Sequence, residues 1–255
     1  MSMPTDEDVA FLIGSLSRDV GVRVDVPDDP EERWGLLRSL MNVRKPVPVP
    51  DDVLRIQDRL LSGISEQRGI TDADDLRFQD GIALWKGDIT TLRCDAIVNA
   101  ANSGMLGCFI PCHRCIDNAI HTFAGMQLRM ECARIMGGRS EPVGGARVTD
   151  AYNLPCRKVI HTVGPIITGR VTDADDDALR SCYRSCLDAA ESNGLRTVAF
   201  CCISTGEFRF PNRRAAEIAV SAVRDHLAGH PDTRVVFDVF REEDHDIYRE
   251  LLGRA

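Results

Sequence analysis

The sequence predicts an α/β protein: a mixed, mostly parallel sheet covered by helices on both faces, behind a helical N-terminal extension. Two observations carry this. From Gly81 onward short apolar runs alternate with amphipathic stretches, in the order IALWK, CDAIVNA, a helix from about Ile116, ARVTDAY, KVIHTVG, a helix from about Asp176, LRTVAFCCIS, a helix from about Pro211, and RVVFDVF. Runs such as TVAFCCI are apolar on both faces, and a strand with no polar face must be covered on both sides.

The extension reads as three helices over residues 1 to about 75, at Thr5 to Leu16, Pro30 to Met41 and Pro50 to Ser62. Asp6 to Asp8 load the first N-terminus with acid, and Asp28 and Asp29 load the second, as the helix dipole favours. Gly63 stands where the third helix would take its C-terminal cap. Three prolines in VRKPVPVPDD force an extended connection, and TDADDLRFQD reads as a loop leading to the second unit, residues 80–255. In such a fold ligands sit beyond the carboxyl ends of the strands. The loops leaving those ends, AANSGMLGC, STGEFRFPNRRAA and REEDHD, are therefore where chemistry is sought. No internal repeat or low-complexity segment interrupts the pattern.

A chain of 255 residues with formal net charge -8 and pI near 5.3 is unsuited to nonspecific nucleic-acid binding, which needs clustered Lys and Arg against phosphates. Phosphate, if bound, is cradled by backbone N–H groups. No apolar run approaches the roughly 20 residues that cross a bilayer, and the acidic start MSMPTDEDVAFL is unlike a secretory signal. The expectation is a cytoplasmic protein without a membrane partner. Most of the ten cysteines fit that compartment: Cys201 and Cys202 adjoin in an apolar strand, and Cys182 and Cys186 lie one helical turn apart, where they act as small hydrophobes.

Only the segment LGCFIPCHRCIDNAIHTFAG, residues 106–125, has ligand spacing, with Cys108, Cys112, His113 and Cys115 in eight residues ahead of a helix. Zn²⁺ takes Cys thiolate and His nitrogen in tetrahedral geometry, and three protein ligands leave a fourth position for water or substrate. Along an extended loop side chains alternate, so His113 and Cys115 share a side and Cys112 faces away. That favours Cys108, His113 and Cys115 as the metal set; a closed structural site using all four donors is the alternative. His121 and His161 read as packing or hydrogen-bonding residues.

Other candidates follow from position. Asp88, in GDIT after a strand, can cap a turn or accept the exocyclic amine of an adenine. Ser204, Thr205 and Gly206 join a buried strand to a helix, so that consecutive N–H groups can converge on a pyrophosphate. Phe208, Phe210 and Phe240 are walls for a groove or members of the core. Asn99 and Asn102 leave a strand with small residues between them; they either form the turn or offer donor and acceptor to sugar hydroxyls.

GDIT (87–90), DAIVNAAN (95–102), IDNAIHTFAG (116–125), VIHTVGP (159–165) and STGEFRFP (204–211) occur in the order and spacing of the macrodomain. The resemblance covers about residues 80–252. In particular the chain resembles the zinc-containing macrodomains of bacteria, in which a GCF, P, H, C pattern replaces the glycine-rich stretch after NAAN and a helical extension precedes the domain. The resemblance implies a three-layer α/β/α macrodomain with zinc as cofactor, acting as a hydrolase that removes mono-ADP-ribose from protein side chains. It places adenine at Asp88 with the Ile89 backbone and Phe240 alongside. The diphosphate falls to Gly107, Phe109 and Ile110 together with Ser204, Thr205, Gly206, Glu207 and Phe208, and the distal ribose to Asn102 and Asp117, with Asn99 counted among the substrate-binding candidates. Asp117, with Asn102, is the expected catalytic pair, Asp117 as general base or orienter of water. Family members are associated with a sirtuin-like ADP-ribosyltransferase and a lipoyl-carrier protein, which makes a carrier of that kind the implied modified partner. A reader that binds ADP-ribose without cleaving it, and a zinc-stabilised scaffold without a nucleotide site, remain the alternative classes.

Overall fold

The structure, a computed structural model, describes residues 5–253. Residues 1–4 and 254–255, which end the two predicted units, lie outside the described residues. The extension forms α1 (Asp6–Val20), α2 (Pro30–Val43) and α3 (Asp51–Arg68). Thr5 caps α1 through a capping box with Asp8, and Asp29 caps α2 by accepting from the Glu31 and Glu32 N–H groups. The expected cap at Gly63 is corrected: α3 runs five residues further and is capped at Gly69, φ 82°. Gly63, Ile64 and Ser65 continue the face packed toward the rest of the protein. That packing outweighs the roughly 1 kcal/mol a mid-helix glycine costs.

The loop read at TDADDLRFQD contains a short strand, β1 (Thr71–Asp72), and a 3-10 turn; β1 pairs in parallel with β3 (Leu92–Arg93). The main sheet is built from β2 (Ile82–Lys86), β4 (Ala96–Ala100), β5 (Ala146–Asp150), β6 (Lys158–Thr162), β7 (Thr197–Phe200) and β8 (Arg234–Val239), in spatial order β2-β8-β7-β4-β6-β5. All pairs are parallel except β5 with β6. β7, buried throughout, and β4, buried from Ala96 to Asn99, occupy its centre, as their two apolar faces require.

Between the strands lie α4 (Ile116–Ala124), α5 (Met126–Met136), α6 (Asp173–Ser192) and α7 (Asn212–Leu227), and α8 (Glu242–Leu251) follows the last strand. The predicted helix from Ile116 is in fact two, parted at Gly125, φ 95°. REEDHD is not a loop: Glu242, Glu243 and Asp244 are the acid-rich first turn of α8. Helices α4 and α5 pack on β4 and β5, whereas α6, α7 and α8 pack on one another and on β2, β5, β6 and β8.

The extension has an apolar cluster of its own, Leu12, Ile13, Leu16, Leu37, Leu40, Met41, Val53, Leu60 and Leu61, joined by Met126 from α5. Trp34 of α2 stacks on Phe123 of α4 with ring centroids 6.2 Å apart. The extension is thus seated on α4 and α5, next to the loop that precedes them. Among the described residues no helix is long and apolar enough to cross a membrane.

Candidate active site at the carboxyl rim of the sheet

Because the five strands β2, β8, β7, β4 and β6 run parallel, all five carboxyl ends meet at one rim. β2 delivers Asp88, β8 delivers Phe240, β7 delivers residues 201–210 and β4 delivers Asn102, followed by the loop to α4. Asp88 takes the capping role read for it. Its Oδ1 accepts from the Thr90 N–H at 2.9 Å and the Thr90 hydroxyl at 2.6 Å, while Oδ2 pairs with Arg68 of α3. Ile89 is buried behind it, and Phe240 is 79% exposed, a bare aromatic face on the same rim.

The loop after β7 turns sharply at Ser204, φ 65°, a buried residue whose hydroxyl has no partner among the described residues. The Thr205 hydroxyl donates to the Cys202 carbonyl, and Gly206, Glu207 and part of Phe208 face solvent. Phe210 is fully buried, so the wall reading holds for neither its ring nor its position: it belongs to the core. Across the cleft Phe109 and Ile110 are exposed, and the Arg129 guanidinium lies 4.3 Å from the Phe109 ring centroid. Gly107, at φ 78°, passes so close to His121 that an added Cβ would meet the ring at 2.7 Å.

Asn102 is exposed and held at three points: Nδ2 donates to the Gly107 carbonyl at 3.1 Å and to Asp117 Oδ2 at 3.3 Å, and Oδ1 accepts from the Gly104 N–H at 3.0 Å. Asp117 is 6% exposed in the first turn of α4. Burial raises its carboxyl to about 6, against the opposing pull of the Asn99 amide, the Arg129 charge and the Asn102 amide. Asn99 is not where the sequence reading put it. It is fully buried, and its amide nitrogen serves Asp117 Oδ1 at 2.8 Å and His161 Nδ1 at 3.1 Å, so it supports the cleft from below and does not line it. Since that nitrogen donates, His161 Nδ1 accepts, and the ring proton sits on Nε2, 3.0 Å from the Thr149 hydroxyl.

The ligand atoms of Cys108, His113 and Cys115 lie within 4.8 Å of one another. Cys108 Sγ and His113 Nδ1 are 3.5 Å apart. A tetrahedral Zn²⁺ with sulfur at about 2.3 Å and nitrogen at about 2.0 Å sets those two atoms roughly 3.5 Å apart, so the pair fits that ion. Burial, with Cys108 and Asp117 nearby, pushes the Cys115 thiol up to about 12; as a ligand it would have to give up that proton to the bound cation's field. His113 Nε2 faces Glu207 Oε1 at 3.6 Å, so the loop after β7 touches the histidine on its far side. Cys112 is turned away, but by a left-handed turn, φ 50°, and not by the strand alternation expected; its sulfur lies 3.3 Å from the Ser39 hydroxyl. A second trio, His121, Cys132 and His161, is fully interior, beside Arg129, with both His161 nitrogens already paired.

Arg38, Asn42, Arg68 and Arg129 were not singled out from sequence, because each reaches the site from a distant segment. Only Arg129, a charge within an otherwise apolar helix face, left any signal.

A family profile described as Macro domain matches residues 98–219. A protein-ADP-ribose hydrolase of Treponema medium is 54% identical over 238 residues, covering 90% of this chain and 91% of its own. The protein-ADP-ribose hydrolase of Staphylococcus aureus strain MSSA476 is 49% identical over 235 residues, covering 90% and 88%.

The chain belongs to the macrodomain family.

Solved relatives of this macrodomain include the Oceanobacillus iheyensis macrodomain with ADP, with TM-score 0.64 and 34% identity, over 69% of this chain and 93% of that one. The Trypanosoma brucei macrodomain in complex with ADP-ribose has TM-score 0.64 and 31% identity, over 99% and 97%. The macrodomain fold expected from the five motifs is therefore the fold observed.

Proposed function

We propose that this macrodomain hydrolyses the bond between C1 of the distal ribose of ADP-ribose and an acceptor side chain of a modified protein, with Zn²⁺ held by Cys108, His113 and Cys115. One observation carries the reading: the three donors, Asn102 and Asp117 converge within one loop and the helix it enters, on the rim that also bears Asp88 and residues 204–208. Relatives named protein-ADP-ribose hydrolase, about half identical along nine-tenths of the chain, support hydrolysis. The solved relative in complex with ADP-ribose supports the ligand.

In this reading adenine lies between Asp88 and Phe240, and backbone N–H groups of residues 107–110 and 204–208 hold the diphosphate. Asn102, fixed at three points, orients a hydroxyl of the distal ribose. Asp117 orients the attacking water and accepts its proton; the Asn99 and Asn102 amides hold the carboxylate still and Arg129 offsets its charge. Bound zinc would position and polarise an oxygen of the sugar or leaving group more than it would generate hydroxide, because two thiolates cancel its charge.

The test is incubation of the purified chain with ADP-ribosylated proteins of defined linkage, with and without a chelator. Released ADP-ribose for at least one linkage, lost on chelation and restored by Zn²⁺, is expected. Binding without release for every linkage would leave a reader, and release indifferent to chelation would remove zinc from the mechanism.

A further inference from the structure

The loop carrying the three donors has no strand or helix of its own: residues 101–115 form turns, bends and irregular backbone, and at the tip His113 N–H donates to the Ile110 carbonyl at 3.3 Å. Three ligands on such a segment hold a metal geometry only if something outside the loop fixes them. The fixing groups come from α2 of the extension. Arg38 Nη2 donates to the His113 carbonyl at 3.0 Å and to Asn118 Oδ1 at 2.8 Å. Asn118, fully buried, passes the restraint on: its Nδ2 donates to the Ile110 carbonyl at 3.0 Å, and its N–H points at Cys115 Sγ at 3.4 Å. One guanidinium thus reaches the backbone of one donor and, through the side chain and backbone N–H of Asn118, the sulfur of another.

Cys112 is held by the same helix. Its N–H donates to Asn42 Oδ1 at 2.9 Å, and its sulfur sits against the Ser39 hydroxyl and the Gly35 carbonyl. Residues 35, 38, 39 and 42 fall at i, i+3, i+4 and i+7, one stripe of α2, while Leu37, Leu40 and Met41 enter the apolar cluster of the extension. The helix has one face for its own core and another for the metal loop.

We propose that α2 is the outer wall of the metal site, with Arg38 as the positioning residue that sets His113 and Cys115 for metal binding and Asn42 the residue that keeps Cys112 out of the ligand set. This rests on the zinc reading above, and the experiment separates the two. Zinc affinity of the full chain is measured by competition with a chromophoric chelator, and the visible bands of the Co²⁺-loaded protein report ligand geometry.

Arg38→Met, which keeps the apolar stem and removes the donors, is expected to weaken zinc binding about 10- to 100-fold. It should also alter the Co²⁺ spectrum, with the melting temperature of the metal-free protein held within a few degrees. Arg38→Gln, too short to span both acceptors, is expected to act in the same direction, and it decides the matter if the methionine variant does not fold. Cys108→Ser is the reference. If it loses zinc while both Arg38 variants bind as the parent does, the wall assignment is overturned and the metal site stands. If Cys108→Ser itself binds zinc like the parent, both readings fall.

Discussion

Asn99 donates its amide to the Asp117 carboxylate across 2.8 Å, tying the carboxyl end of the central strand β4 to the first turn of α4. The carboxylate proposed as catalytic is therefore held from inside the sheet, and its second oxygen is met by Asn102 at the cleft surface. Removing it should take away proton transfer and water orientation while sparing the adenine and diphosphate contacts. Asp117→Ala is expected to lower turnover by about 10² to 10⁴, with ADP-ribose affinity by calorimetry changed far less. Full turnover in that variant would refute the assignment.

Cys112 and Cys108 stand four residues apart with opposite surroundings, one bonded to α2 and the other facing His113. Elemental analysis of purified variants should find zinc retained in Cys112→Ser and lost in Cys108→Ser. Zinc lost from both variants would revive the closed four-donor site.

Gly107 has φ 78° and an open side toward His121 that a Cβ would enter at 2.7 Å. Since its carbonyl also accepts from Asn102, the strain is delivered to the cleft. Gly107→Ala should destabilise the protein by about 2–4 kcal/mol in urea denaturation and weaken ADP-ribose binding. Unchanged stability would mean that the loop has a second conformation.

His161 is wholly buried, and burial lowers its imidazole to about 4. The unfolded chain, with His near 6.5, binds a proton that the folded chain refuses between those two values. Stability from this residue is therefore complete above about pH 6.5 and is lost as pH falls toward 4, on the order of 3 kcal/mol. His161→Gln should flatten the fall in unfolding free energy between pH 7 and pH 4.5 relative to the parent. Asp117, raised to about 6, works in the opposite sense over part of that range, so the comparison between the two proteins is the measurement. Parallel curves would place the pH sensitivity elsewhere.

Much of this protein was legible in the linear chain because the relevant physics is local or repeats at short period. Apolar runs without a polar face announced a covered sheet, acid before amphipathic stretches announced helix starts, and five motifs in order announced the macrodomain. Three donors within eight residues were visible as one group for the same reason. Where local rules met a competing long-range contact they failed: Gly63 did not end α3, since burial of the residues beyond it prevailed, and REEDHD, acidic enough for a loop, was the first turn of α8.

What the tertiary structure alone decided is the support beneath the site. The parallel order of the strands brought Asp88, Asn102, residues 204–208 and Phe240 to one edge. It also sank Asn99 beneath Asp117, where it serves a carboxylate and not a sugar. Arg38 and His113 are separated by 75 residues and Arg68 and Asp88 by 20, and nothing in either neighbourhood specifies its partner. A side chain's type and its near neighbours determine what it can donate or accept; which group it meets depends on where packing brings distant segments, and that is a property of the whole fold.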